Sequence, residues 1–134
     1  MYAGGRAHGL RQPCQAILRN VESARLDAVI SAEVVQEILH RFSALREPRL
    51  GAEMARAAID LFAPVVPVTY DVMRRMPDLV ERYPDLSARD LVHVATCLEE
   101  GIGAIVSPDR GFDSVSGLAR VDPDDANGLE PHLR

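Results

Sequence analysis

The sequence contains no lysine; all 15 of its basic residues are arginine. Any contact with phosphate would therefore be made by a planar guanidinium, which can bind in bidentate fashion. Basic charge is also in deficit, at 15 residues against 20 acids for a net charge of −5. That balance argues against a protein that coats nucleic acid nonspecifically. It leaves room for a nuclease, because metal-binding acids add negative charge that a cation offsets. No apolar run approaches the roughly 20 residues needed to span a bilayer. The opening MYAGGRAHGLRQP has no basic segment followed by an apolar stretch, so it does not read as a signal peptide. A cytoplasmic protein with no membrane partner is the expectation. Cysteine is scarce: Cys14 and Cys97 lie far apart and in no metal-binding spacing, and are expected to be buried, inert thiols.

What is present is one domain's worth of chain, 134 residues with 47% hydrophobic content, enough to form a core. Helical stripes alternate with short β-branched runs. Residues 9–25 place Leu10, Cys14, Ile17, Leu18 and Val21 on one helical face, with Pro13 in a first turn. DAVIS (27–31) reads as a buried strand, and Ser31 as the N-cap of a helix running to about Arg46, with Val34, Val35, Ile38, Leu39 and Phe42 inward and Pro48 ending it. Residues 50–63 read as a third helix with Met54, Ala57, Ala58, Leu61 and Phe62 inward. VVPVT (65–69) reads as an edge strand, because Pro67 cannot donate to a ladder. Residues 70–83 form another helix. Ser87 with Asp90 three residues on is an N-terminal capping signature, and Gly101 closes the helix that follows. GAIVS (103–107) and LARVD (118–122) complete the strands, and residues 123–134 read as a polar, loose tail.

Strands separated by helices predict an α/β fold: a three-layer helix–sheet–helix sandwich with a mainly parallel sheet, filling residues 1–122. Ligands of such sheets bind beyond the carboxyl ends of the strands. Asp109 follows GAIVS on that edge. Ser31 ends DAVIS on the same edge, with Glu37 up to two turns into the next helix. Taken singly, the acids have plain readings. Glu37 could be a polar residue flanking an apolar stripe, Asp90 a first-turn acid favoured by the helix dipole, and Asp109 a turn residue.

Their order changes the weighting. SAEVVQEILHRF, SARDLVHVATCLEEG and GIGAIVSPDRGFDSVSGL, taken together, resemble the PIN-domain family, specifically the VapC-type toxin ribonucleases of toxin–antitoxin pairs. The resemblance runs from about Tyr2 to Asp122. It implies that Glu37, Asp90 and Asp109 are catalytic and form one site for Mg2+ or Mn2+, hard ions that prefer carboxylate oxygen. Asp113 would be a further helper, or alternatively a cap for the next turn. The implied reaction is endonucleolytic hydrolysis of structured RNA by a metal-activated water, leaving a 5′-phosphate. Arg41, Arg89 and Arg110, with His40, are candidate phosphate contacts; surface residues are the alternative. His93 would be a packed or supporting histidine rather than a ligand, and Ser107 could orient a carboxylate or phosphate, or simply end its strand. A homodimer and a cognate antitoxin are the implied partners.

The sequence departs from the family in one respect. The family begins with a central strand that ends in a further metal-binding aspartate, and a segment like Met1–Pro13 comes just after it. That strand and its aspartate are not in this sequence. Their absence is expected to leave ladders unpaired, at about 1–3 kcal/mol per buried amide against a total stability of about 5–15 kcal/mol. Either the recorded start is a downstream methionine, or the chain is a divergent member with an incomplete site. The second case suggests an alternative function, a catalytically impaired binding module whose acidic groove takes a basic partner peptide. A receiver-like phosphoacceptor domain shares the alternation but wants a late lysine, which this chain lacks.

Overall fold

The computed structural model describes residues 9–134. Residues 1–8, part of the segment placed just after the family's first strand, lie outside the described residues. The order is α1 (Arg11–Glu22), α2 (Ala32–Ala44), α3 (Pro48–Leu61), α4 (Tyr70–Arg82), α5 (Ala88–Glu99), β1 (Ala104–Val106), a 3₁₀ turn (Arg110–Ser114), β2 (Ala119–Val121), α6 (Ala126–Leu129) and a second 3₁₀ turn (Glu130–His132). This is the expected α/β class, with β1 and β2 parallel and Ile105 opposite Arg120. Among the described residues the sheet has only these two strands. No helix among the described residues is long and apolar enough to cross a membrane.

The chain divides into two compact units, one running to Val66 and taking in Glu130–Arg134, the other spanning Pro67–Leu129. In the first, α2 and α3 pack as a pair around Ile38, Phe42 and Ala55. Gly51 makes this possible: a Cβ there would stand 2.7 Å from the Phe42 Cβ. Pro48 does not end α2 but opens α3, where its missing N–H costs nothing. Leu39 and Ala57, expected inward, face solvent; each lies a helical step past the buried stripe. The α1 stripe is only partly buried, and Cys14 with it.

DAVIS and VVPVT do not form full strands. Ser31 and Val66 share one parallel bridge, in which the Ala32 N–H donates to the Val66 carbonyl and the Val66 N–H to the Ile30 carbonyl. Pro67 has no N–H with which to extend it. The tail expected to be loose is instead partly ordered: Leu133 bridges to Leu26, the Arg134 N–H donates to the Arg25 carbonyl, and the Arg134 guanidinium pairs with Asp27 at 2.7 Å.

The second unit has the larger core. α4 and α5 bury Val72, Met76, Leu79, Leu91, Val94 and Ala95 against Leu86, Phe112, Val115 and Leu118. The Thr69 hydroxyl caps α4 by accepting from the Val72 N–H at 3.2 Å. Gly101, with φ +66°, takes the left-handed turn after α5, and the Ile102 N–H reaches back to the Cys97 carbonyl. Cys97 is half-buried, and that burial pushes its thiol pKa up, the setting of an unreactive cysteine.

Candidate acidic site

Asp90 sits on the third residue of α5, where the capping signature placed it. The Ser87 backbone N–H donates to its Oδ2 at 3.3 Å, the Ser87 hydroxyl donates to the same oxygen at 2.5 Å, and the Asp90 N–H donates to the Ser87 Oγ at 3.1 Å. Oδ1 stays outside these bonds. The residue is half-buried at the mouth of an otherwise apolar helix.

Asp109 follows β1 by three residues and is exposed. Its Oδ1 accepts from the Gly111 N–H at 2.8 Å, which starts the 3₁₀ turn, and its own N–H donates to the Ser107 hydroxyl at 3.1 Å. Gly111 is required by space as well: a Cβ would meet Leu86 Cδ2 at 2.9 Å and Asp109 Oδ1 at 3.1 Å. The plain readings of Asp90 as a first-turn acid and Asp109 as a turn residue both hold. In these bonds each uses one carboxylate oxygen.

Asp113 lies in the same turn. Arg120 Nε donates to its Oδ1 at 2.7 Å, so it does not merely cap. Ser107 ends β1, its N–H donating to the Val121 carbonyl and its hydroxyl orienting the Asp109 backbone. His93 is part-buried one turn beyond Asp90. Arg89 and Arg110 are exposed in this unit. Glu37, half-buried, and Arg41 and His40, exposed, lie on α2 in the other unit.

The donor set is all carboxylate oxygen, which fits a hard divalent cation by chemistry. Among the described residues, however, no three Asp, Glu, His or Cys side chains are gathered closely enough to hold one. The sequence reading missed Arg120 and Asp122. The Arg120 side chain is only 11% exposed, and it donates to the Ser107 carbonyl at 2.9 Å and to Asp122 Oδ2 at 3.1 Å as well as to Asp113. A charged residue in the middle of a three-residue strand was the available signal. Asp122 in turn accepts the Asp124 N–H at 3.1 Å; that bond first, and Arg120 second, hold its carboxyl below the usual range.

The α/β order, the parallel β1–β2 pair and an acidic loop at its carboxyl end define a class. The PIN domain model matches residues 8–118, and the chain belongs to that family. It is 34% identical over 121 residues to ribonuclease VapC13 of Mycobacterium tuberculosis, covering 90% of this chain and 92% of that protein. It is 32% identical over 130 residues to ribonuclease VapC7 of the same organism, covering 94% and 88%. Ribonuclease VapC23, also from that organism, is 33% identical over 115 residues. No solved structure matches the chain.

Proposed function

We propose that this protein is a divalent-metal-dependent endoribonuclease, the cytoplasmic toxin of a VapBC-type toxin–antitoxin pair. The observation that carries the reading is its likeness, along about nine-tenths of its length, to relatives named ribonucleases. The reading is further supported by the carboxylates on the sheet's carboxyl edge and at the start of α5. In this reading Asp90 and Asp109 hold Mg2+ or Mn2+ through their remaining oxygens, with Glu37 as ligand or water-orienting group and Asp113 assisting. A bound ion supplies Lewis acidity to a water and charge to the phosphodiester transition state. The chain's own part is to fix the carboxylates, with Ser87 and Ser107 setting the orientation of Asp90 and Asp109. Arg41, Arg89 and Arg110 bind phosphates of an exposed RNA loop. A homodimer, and an antitoxin segment that neutralises the acids, complete the assignment.

The test is cleavage of structured RNA by the purified chain with Mg2+ or Mn2+, with and without EDTA, beside Asp90→Asn. Metal-dependent cuts that vanish with EDTA and with the substitution are expected. Cleavage indifferent to both would reject the assigned site. One observation favours a second reading: no three described acids are gathered. A binding module that takes a basic peptide in its acidic groove would show no saturable Mn2+ binding and no RNA cleavage.

A further inference from the structure

The Arg120 contacts join three parts of the second unit that chain connectivity leaves apart. The residue is the centre of β2, opposite Ile105. Its guanidinium reaches the residue just after β1 through the Ser107 carbonyl, the 3₁₀ turn through Asp113 Oδ1, and the exit of β2 through Asp122 Oδ2. Ser107 and Asp113 bracket the loop that carries Asp109. The Ser107 hydroxyl then accepts from the Asp109 N–H, so one guanidinium acts on that carboxylate through a single intervening residue.

We infer that Arg120 is the positioning residue of the acidic loop, clamping both ends of 107–113 so that the Asp109 carboxylate and the remaining oxygen of Asp113 are fixed for a cation. The inference rests on the metal-dependent reading under Proposed function. A guanidinium suits the task because it is planar and can serve several acceptors in fixed directions at once, whereas a lysine ammonium has no such fork. Its positive charge also offsets part of the charge of the two aspartates it holds, which helps the loop keep its shape before a cation arrives. Groups that orient metal-binding residues typically change metal affinity about 10–100-fold when removed.

The experiment is Mn2+ titration of the full chain, read by the loss of the free-ion electron paramagnetic resonance signal, for wild type, Arg120→Met, Arg120→Lys and Thr69→Ala. Thr69 caps α4, outside the 107–113 loop, so its variant controls for general loss of stability. Arg120→Met is expected to raise the Kd for Mn2+ about tenfold or more, Arg120→Lys by less, and Thr69→Ala not at all. Wild-type affinity in Arg120→Met overturns the role of Arg120 while leaving the metal reading intact. Equal weakening by Thr69→Ala overturns it too, because the effect would then be general. No saturable Mn2+ binding in wild type overturns the metal reading itself. Should Arg120→Met not fold, Arg120→Lys decides: a Kd equal to wild type rejects the clamp.

Discussion

Ser87 and Asp90 hold each other from both sides, the serine hydroxyl taking the aspartate N–H and the aspartate Oδ2 taking both the serine N–H and its hydroxyl proton. One oxygen of the carboxylate thus starts α5, and under the proposed function the other would serve the metal. Structure and function should therefore separate by substitution. Ser87→Ala removes the cap and is expected to cost about 1 kcal/mol. Asp90→Asn keeps an oxygen for the cap and should cost less stability than Ser87→Ala, while cutting metal-dependent RNA cleavage about 100-fold or more. Thermal melts beside a cleavage assay check both.

The α2–α3 pair gives a steric prediction. Gly51→Ala gains about 1 kcal/mol of helix propensity, yet its new methyl group would stand 2.7 Å from the Phe42 Cβ. That neighbour sits against the backbone and cannot swing away, so overpacking of about 1–3 kcal/mol wins. A lowered melting temperature is expected; an increase would show that the helices can part without cost.

Arg46 occupies the left-handed position after α2, with φ +59°, its N–H bonded to the Ser43 carbonyl and the Glu47 N–H to the Phe42 carbonyl. Gly101 fills the same place after α5. A non-glycine residue there costs roughly 1–2 kcal/mol, partly offset by the greater freedom that glycine has when unfolded. Arg46→Gly should stabilise the chain by about 0.5 kcal/mol, measured by urea denaturation.

Acid should loosen the second unit through Asp122. Its folded carboxyl binds protons less readily than usual, because the Asp124 N–H and then Arg120 favour the charged form. Such a group stabilises the fold above its ordinary pKa, near 3.8 here, and loses that contribution as pH falls toward the lowered folded value. Melting temperature should drop below about pH 4, and Asp122→Asn should flatten that part of the profile.

The helices were readable in the sequence because their signals are local. The capping pair Ser87–Asp90 and the periodic apolar residues of α2 and α3 act within a turn or two; the cap at Thr69, read as the end of a strand, emerges only from the structure. DAVIS and VVPVT carried strand-like side chains, but a strand exists only with a partner, and among the described residues each has a single bridge. Asp90 and Asp109 could be placed at element ends from the sequence, whereas Glu37 lies within α2 in the other unit. Arg120 offered only its charge within a short strand, because its meaning depends on Ser107 and Asp113, which lie 13 and 7 residues away and meet it only after β1 and β2 pair.

The pairing of Leu26 with Leu133 carries a consequence for biosynthesis. Chains emerge from the ribosome N-terminal end first. Buried Leu26 meets its partner only after 107 further residues have been made, and the Arg25 carbonyl waits for Arg134. The α4–α5 core needs nothing beyond Leu118 and can assemble earlier. The contacts of Arg25 and Leu26 with the C-terminal residues are therefore expected to close last, after both helix pairs can already have formed.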